Sequence, residues 1–157
     1  MDISLGNEQI VIRKVGRDTD LARELLAFVE NFSWLEVREH TARSLRDWSF
    51  EDWETPFAAL AGERIVGMAT IAKTDYYPLP QICPWISTVF VAEAFRGRRI
   101  SQQLIAFAED YARALGFSRT YIPSAHLGLY EKFGYRYERD IVNYTGGVDR
   151  LYSKDIG

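Results

Sequence analysis

Residues 85–115 carry the sequence WISTVFVAEAFRGRRISQQLIAFAEDYARAL. The first part, Trp85–Val91, is mostly apolar on both faces, which predicts a strand in the centre of a sheet. From Ile100 to Leu115, apolar side chains recur at helical spacing, and Gly116 follows as a helix-ending residue. The segment therefore predicts a central strand joined by a short turn to an amphipathic helix.

The turn between this strand and this helix carries three arginines, Arg96, Arg98 and Arg99, with Gly97 among them. A helix N-terminus has partial positive charge and unpaired N–H groups, so cations there are destabilising unless an anion is bound. Gly97 lets the backbone approach a ligand because it has no Cβ. Together these features predict a site for a polyphosphate.

Hydrophobic periodicity along the rest of the chain predicts the element order β-α-α-β-β-β-α-β-α-β-β. The first helix is expected to begin with Asp18 as its N-cap, and a tight turn at Gly62 and Glu63 is expected to close a hairpin. The predicted helices are the one after Asp18, 37–48, 100–115 and 126–133. The predicted strands are 8–14, 57–61, 65–71, 85–91, 119–122, 134–139 and 150–153.

Composition limits the classes of protein that fit this chain. Its 157 residues are 47% hydrophobic, which suits a single domain spanning 1–157 with a sizeable core. A net charge of −3 argues against a general nucleic-acid-binding surface. The single cysteine, Cys83, excludes an internal disulfide, and with His40 and His126 it forms no metal-binding constellation. With no long apolar run and no leader segment, we expect a cytoplasmic protein that does not bind membranes.

Two segments resemble the GNAT superfamily of N-acetyltransferases. Residues 89–104, VFVAEAFRGRRISQQL, are similar to the family's strand and acetyl-CoA pyrophosphate loop, Gln/Arg-x-x-Gly-x-Gly/Ala, with Arg96 at the first position of the loop. Residues 129–135, LYEKFGY, are similar to the family's late segment Leu-Tyr-Glu-Lys-x-Gly-Phe. The resemblance implies an α/β (α+β) fold in which a central mixed, mostly antiparallel sheet is flanked by helices.

The loop departs from the family pattern at two positions. Arg99 stands where the family has its middle glycine, and Ser101 stands where it has its last small residue. Either the loop lies slightly away from the pyrophosphate or a guanidinium replaces the close backbone. We favour the second, because arginine can hold phosphate oxygens through two parallel bonds. The asparagine common before the tyrosine segment is also missing, with Pro123 or Ser124 in its neighbourhood.

The resemblance implies acetyl-CoA as co-substrate and gives roles to both segments. The thioester carbonyl is expected to be polarised by the backbone N–H of Phe90 or Val91, in the manner of an oxyanion hole. Tyr130 is expected to protonate the departing thiolate as general acid, and a core aromatic is the alternative for its position on a short helix. The expected coenzyme contacts are Val89, Phe90, Val91, Arg96, Gly97, Arg98, Arg99, Ile100, Ser101 and Gln102.

The general base and the acceptor are less defined. His126 is one candidate base because imidazole titrates near neutral pH, and a locally bonded histidine at a helix start is the alternative. Rival carboxylates, each otherwise a solvated surface charge, are Glu36, Asp52, Glu54 and Asp75. Aromatic rings with nearby acids suit a cationic amine, with ordinary core packing as the alternative for each ring. These rings are Trp34, Trp48, Trp53, Tyr76, Tyr77 and Tyr144.

Together these observations predict an acetyl-CoA-dependent N-acetyltransferase. Its acceptor is expected to be a primary amine of a small molecule or peptide that attacks directly in a ternary complex. An acyl relay through Cys83 is the weaker mechanism, because Cys83 is distant in sequence from the sulfur-side candidates. The alternatives are a non-catalytic acyl-CoA-binding or sensing module of the same fold and a partner-binding adaptor. The aromatic-rich last hairpin could also pair with a second copy, as in many similar proteins, to form a homodimer.

Overall fold

The computed structural model describes residues 9–124 and 128–157, and in this part of the chain a seven-stranded sheet is packed between α-helices. The strands are β1 (Ile10–Lys14), β2 (Thr55–Ala61), β3 (Arg64–Ala72), β4 (Trp85–Val91), β5 (Arg119–Ser124), β6 (Arg136–Val142) and β7 (Val148–Asp155). The α-helices are α1 (Asp20–Glu30), α2 (Leu35–Asp47) and α3 (Ile100–Ala114). Short 3₁₀ helices cover Glu93–Phe95 and Tyr130–Phe133.

The sheet has the strand order β1-β2-β3-β4-β5-β7-β6. All neighbouring strands are antiparallel except β4 and β5, which are parallel. The prediction of a mixed, mostly antiparallel sheet flanked by helices is therefore confirmed. A parallel pair needs a crossover connection, and α3 supplies it between β4 and β5.

Both faces of the sheet are covered by helices. On β2, Phe57 and Ala59 pack in one cluster with Leu104 of α3, whereas Ala58 and Leu60 pack on the opposite face with α1 and α2. This alternation explains why every residue of β2 is buried. The sheet centre is thus fixed from both sides, and it gives a rigid support to the loops at its ends.

Gly67 on β3 allows α3 to start close to the sheet. A Cβ at this position would lie 3.0 Å from the carbonyl oxygen of Phe90 and 3.3 Å from Cδ1 of Leu104. Any larger residue would therefore push the first turns of α3 away from β3 and β4. The N-terminus of α3 is consequently held beside the carboxyl end of β4.

The predicted element order is confirmed, and several element bounds differ from the prediction. Thr19, not Asp18, caps α1, because its Oγ1 accepts the N–H of Ala22 at 3.1 Å while Asp18 has a φ of 61°. Strands β6 and β7 are longer than predicted because each pairs with the other along its length. Of the helix predicted at 126–133, the structure shows the 3₁₀ turn Tyr130–Phe133, and residues 125–127 lie outside the described part. None of the helices in the described ranges combines the length and apolar character needed to cross a membrane.

Candidate active site

A cleft opens in the sheet where β4 and β5 separate. Their parallel pairing is limited to the register of Trp85 with Tyr121, whereas β4 stays paired with β3 as far as Val91. Burial changes at the same place, since Trp85 and Ile86 are buried and residues 87–91 are half-buried. The resulting cleft has a volume of about 1600 Å³.

A β-bulge shapes the β4 wall of this cleft. Between Ser87 and Phe90, β4 has one residue more than the facing segment of β3. Within this segment Thr88 has a φ of 51°, a conformation that is strained for a β-branched residue. A bulge leaves backbone groups outside the strand ladder and redirects the strand. Because Thr88, Val89 and Phe90 line the cleft, this backbone is presented to whatever binds there.

The loop after β4 brings the start of α3 to the cleft. Gly97 has a φ of 82°, and the N-cap residue Arg99 also lies in the left-handed region, with a φ of 60°. The side chain of Arg99 makes no capping hydrogen bond to α3. The first N–H groups of α3 are therefore left available to an external acceptor, as a phosphate site requires.

The three arginines of this loop point in different directions. Arg96 donates from Nε to the carbonyl oxygen of Val91 at 3.0 Å, and its Cζ lies 5.5 Å from the ring centre of Phe90. Arg98 lies over the ring of Phe95, with Cζ 4.8 Å from the centroid. Arg96 and Arg99 line the cleft, and Arg98 does not. Arg99 and Arg96 thus face the cleft, and Arg96 is also bonded to the end of β4. The contact of the three guanidinium groups with a diphosphate stays a prediction.

Most of the predicted coenzyme contacts meet in the cleft. Arg98 and Gln102 are the two that lie outside its lining. The others line it together with Tyr130: Val89, Phe90, Val91, Arg96, Gly97, Arg99, Ile100 and Ser101.

Tyr130 reaches the cleft from a mainly buried position. Its residue is 8% exposed, and its ring packs 6.0 Å from that of Tyr152 and 6.4 Å from that of Tyr135, centre to centre. Burial, with a smaller contribution from Tyr152, raises the pKa of Tyr130 to about 12. The phenol therefore stays protonated at neutral pH and can donate a hydrogen bond. The other predicted proton carrier, His126, lies outside the described residues.

Comparison with known proteins identifies the family. The family model described as acetyltransferase (GNAT) family matches residues 19–135, which include both the arginine loop and the tyrosine segment. The chain belongs to the GNAT acetyltransferase family. A search of curated protein sequences found no match to this chain.

Solved structures share the GNAT fold at low sequence identity. An aminoglycoside 6'-acetyltransferase type Ii is 18% identical with a TM-score of 0.74, over 94% of this chain and 97% of that one. An aminoglycoside 6'-N-acetyltransferase complexed with coenzyme A is 16% identical with a TM-score of 0.71, over 94% and 97%. A GNAT acetyltransferase from Elizabethkingia anophelis with acetyl-CoA bound is 17% identical with a TM-score of 0.66, over 95% and 99%. The expectation of acetyl-CoA as co-substrate is confirmed for the family to which the chain belongs.

The four rival carboxylates occupy different places around the GNAT cleft. Both oxygens of Glu54 accept backbone N–H groups, from Glu51 at 3.0 Å and from Lys73 at 2.7 Å, so this side chain holds two loops together. Asp52 forms an ion pair with the ammonium of Lys73 and lies outside the cleft lining. Glu36, Glu54 and Asp75 line the cleft.

Asp75 is the most unusual of these carboxylates. Its Oδ1 accepts the N–H of Tyr76 at 2.6 Å, and its Oδ2 is inaccessible to solvent and has no hydrogen-bond partner among the described residues. Burial raises the pKa of Asp75; the N–H of Tyr76, the hydroxyl of Ser87 and the charge of His40 oppose this shift, and Asp149 reinforces it. The carboxyl group is therefore a stronger base than an exposed aspartate.

A second acid, Asp149, lines the same part of the cleft and was not predicted. Its Oδ2 accepts the hydroxyl proton of Tyr77 at 2.6 Å, and Tyr77 stacks on Trp85 with ring centres 5.4 Å apart. Tyr77 and Asp149 are 72 residues apart in the sequence, on the loop after β3 and on β7. No local motif links them, so only the paired strands bring them together.

The aromatic residues expected on the acceptor side divide into two groups. Trp34, Tyr76, Tyr77 and Tyr144 line the cleft, and the rings of Tyr76 and Tyr144 meet edge to face at 5.7 Å. Trp48 packs on Phe50 and Trp53 packs on Phe117, each with ring centres 5.0 Å apart. Trp48 and Trp53 lie outside the cleft lining and contribute to the packing of the fold, which is the alternative given for each ring.

Proposed function

We propose that this protein transfers the acetyl group of acetyl-CoA to a primary amine of a small molecule or peptide, by direct attack in a ternary complex. One observation supports this most strongly: a single cleft is lined by Arg99 and the start of α3, by Tyr130, and by the carboxylates Asp75 and Asp149. A basic end suits a diphosphate and an acidic region suits an ammonium. Both substrates therefore have complementary surfaces in the same space.

The coenzyme end is formed by backbone and by Arg99. The N–H groups at the start of α3 would donate hydrogen bonds to the diphosphate oxygens, and the guanidinium of Arg99 would add charge-assisted hydrogen bonds. The end of β4, at Phe90 or Val91 just after the bulge, would donate an N–H to the thioester oxygen, which gains negative charge as the amine attacks. Such a donor is expected there because β4 has separated from β5 and, in the described part of the chain, has no strand partner on that side.

Tyr130 would stabilise the leaving group. A pKa of about 12 keeps its phenol protonated throughout the neutral range. The thiol of the coenzyme has a pKa of about 8.5, as free thiols do, so full proton transfer from this phenol is uphill and a hydrogen bond to the developing thiolate is its first contribution. Cys83 lies outside the cleft lining and burial raises its pKa, so neither its position nor its acidity supports an acyl-cysteine relay.

Two observations support an amine as the acceptor: the acidic end of the cleft and the activity named for similar solved structures. Three of the structural neighbours are aminoglycoside acetyltransferases, which supports an amine as acceptor in this fold. Cleft-lining carboxylates together with the rings of Trp34, Tyr76 and Tyr144 would attract and enclose a cationic amine.

A coupled assay tests this function. The purified protein is incubated with acetyl-CoA and a panel of polyamines, aminoglycosides, amino acids and peptides, and free thiol and acetylated product are measured together. We expect stoichiometric thiol and amide with at least one amine, and intersecting initial-rate lines when both substrates are varied. Saturable acetyl-CoA binding without thiol release on any amine would instead indicate the non-catalytic module, and parallel lines would indicate an acyl-enzyme.

A further inference from the structure

We propose that the carboxylate of Asp75 binds the ammonium group of the acceptor through Oδ2 and takes a proton from it, which makes Asp75 a catalytic residue. This inference rests on the proposed acetyl transfer and names the base that the transfer requires. A buried carboxylate oxygen without a hydrogen-bond donor costs free energy in the empty protein. Asp75 lines the cleft, and its Oδ2 has no partner among the described residues and is not reached by solvent in the empty protein. An ammonium that enters from the cleft and displaces the covering side chains would supply the missing donor.

The other oxygen of Asp75 fixes the orientation of the group. Oδ1 is held by the N–H of Tyr76 at 2.6 Å, in the loop that follows β3. With Oδ1 engaged, Oδ2 is the atom that remains for a ligand. By contrast, both oxygens of Glu54 are used by backbone N–H groups, and Oδ2 of Asp149 is used by the hydroxyl of Tyr77.

Groups on three other elements act on Asp75. The hydroxyl of Ser87 on β4 and the charge of His40 on α2 lower the pKa of Asp75, and the negative charge of Asp149 on β7 raises it. The remaining charged side chains of α2 that line the cleft are Glu36, Arg43 and Asp47. The two aspartates together favour a cation between them, since an ammonium would offset their mutual repulsion.

Ser87 also places Asp75 relative to the expected acyl site. It is the residue immediately before the bulged Thr88, and its hydroxyl is 3.1 Å from that of Thr70 on β3. A nitrogen bound at Asp75 would therefore lie beside the stretch of β4 whose N–H groups are proposed to polarise the thioester. Positioning of the nucleophile next to the carbonyl is what direct attack needs.

The proton and electron balance of the step is complete. The ammonium gives one proton to Oδ2 of Asp75, and the lone pair of the resulting amine forms the N–C bond to the acetyl carbon. Collapse of the adduct breaks the C–S bond, and the departing sulfur is stabilised by the hydrogen bond of Tyr130. The second nitrogen proton reaches sulfur through solvent, so that the phenol is unchanged, and the proton on Asp75 leaves to bulk water. The sum is ammonium and acetyl-CoA giving amide, free CoA thiol and one proton.

The pH dependence has a defined sign. Asp75 must be ionised to accept a proton, so kcat/KM falls as pH falls through its pKa. Because burial raises this pKa above that of an ordinary aspartate, the loss begins at a higher pH than an exposed carboxylate would give.

The test compares Asp75→Asn with the wild type, using cadaverine as the amine probe. Asp110→Asn is the control, because Asp110 is an exposed carboxylate of α3 paired with Arg113. Two measurements are made on each protein: kcat/KM for cadaverine as a function of pH, and calorimetric titration of the CoA-bound protein with cadaverine.

We expect Asp75→Asn to lower kcat/KM for cadaverine by about 100-fold or more at neutral pH, as loss of a general base does. The acid limb of its kcat/KM profile should disappear, and its activity should recover as rising pH deprotonates the free amine. Its affinity for cadaverine should fall, while its affinity for CoA stays unchanged. Asp110→Asn should match the wild type in every measurement. A structural defect would not produce recovery at high pH.

An unchanged acid limb or unchanged cadaverine binding in Asp75→Asn would overturn the inference. If the wild type binds cadaverine through Asp75 but releases no thiol with any amine, acetyl transfer and the proton step both fail while the ammonium site stands. If the wild type does not bind cadaverine at all, the ammonium site itself is refuted.

Discussion

Arg99 carries much of the binding argument at the residue scale. Its backbone adopts the left-handed conformation at the N-cap of α3, where the family pattern has a glycine that enters this region without strain. The strain of a long side chain in this conformation is explained if the guanidinium is needed at the cleft. Arg98, the neighbouring arginine, instead lies over Phe95, on a ring that Arg64 also contacts at 4.9 Å.

Arg99→Ala is therefore expected to weaken CoA binding by about 1–3 kcal/mol, the range for a charge-assisted hydrogen bond to phosphate. The salt dependence of binding should also decrease, because one charged contact is lost. Titration of CoA at several salt concentrations measures both effects. Arg98→Ala is the matched control and should change affinity much less. Equal effects of the two variants would show that only the net charge of the loop matters.

Tyr130→Phe separates catalysis from binding. Removal of the hydroxyl should lower kcat and leave CoA affinity nearly unchanged, because the ring still packs against Tyr135 and Tyr152. With a pKa of about 12, Tyr130 should contribute no alkaline limb to the rate below about pH 10. Steady-state rates and a CoA titration on both proteins provide the measurement. An unchanged kcat in the variant would remove the proposed role of the phenol.

At the scale of elements, a buried ion pair connects α3 to β7. Glu109 has only 8% of its side chain exposed, and Nζ of Lys154 lies 3.1 Å from its Oε1. Its Oε2 has no hydrogen-bond partner among the described residues. The ammonium of Lys154 therefore compensates the negative charge of the buried Glu109 carboxylate. The same ion pair joins α3 to β7, the strand that pairs with β5.

Lys154→Met should lower the free energy of unfolding by about 3–5 kcal/mol, because it leaves Glu109 as an uncompensated buried charge. Asp110→Ala breaks the exposed pair of Asp110 with Arg113, and we expect a loss of at most about 1 kcal/mol from it. Denaturant unfolding of both variants tests the difference. Similar small losses in the two proteins would refute the pair of Lys154 with Glu109 as a major source of stability.

The elements that follow from local pattern were predictable, and the features that depend on pairing were not. Periodicity located β4 and α3 to within a residue, because their apolar spacing is long and regular. The bulge at Thr88 and the separation of β4 from β5 left no local signal, since both arise from register with neighbouring strands. The same holds for the N-cap of α1, where the choice between Asp18 and Thr19 depended on backbone conformation.

The candidate site shows the same division. The arginine loop and Tyr130 lie in contiguous motifs and were named from the sequence, whereas the state of Asp75 depends on burial by side chains from other elements. Its partner acid Asp149 comes from β7 and was missed for that reason. Burial of a carboxylate is a property of the packed fold, and single-sequence reasoning could name Asp75 only as one rival among four.

At the scale of the whole molecule, the cleft has a basic end and an acidic end. Arg96 and Arg99 stand at the end formed by α3, and the remaining lining carries more acids than bases. The acids are Glu36, Asp47, Glu54, Asp75 and Asp149. Arg43 is a basic residue in the same part of the lining. A net charge of −3 on the chain adds to the potential at the acidic end.

This separation predicts a preference between two related amines. Cadaverine is lysine without its carboxylate, so it should be acetylated with a kcat/KM roughly fivefold or more higher, which corresponds to about 1 kcal/mol of avoided repulsion. The difference should shrink as salt is added. Parallel initial-rate measurements on the two amines provide the comparison. A preference for lysine would show that Arg43 or another cation receives a carboxylate there.

A structure of the protein with CoA bound examines the shared cleft itself. We expect the diphosphate on the N–H groups at the start of α3 beside Arg99, and the CoA sulfur within hydrogen-bond distance of the hydroxyl of Tyr130. The cleft around Asp75 should remain open for the amine. A coenzyme bound elsewhere, or a diphosphate that leaves the start of α3 facing only solvent, would refute the assignment of the cleft to acetyl transfer.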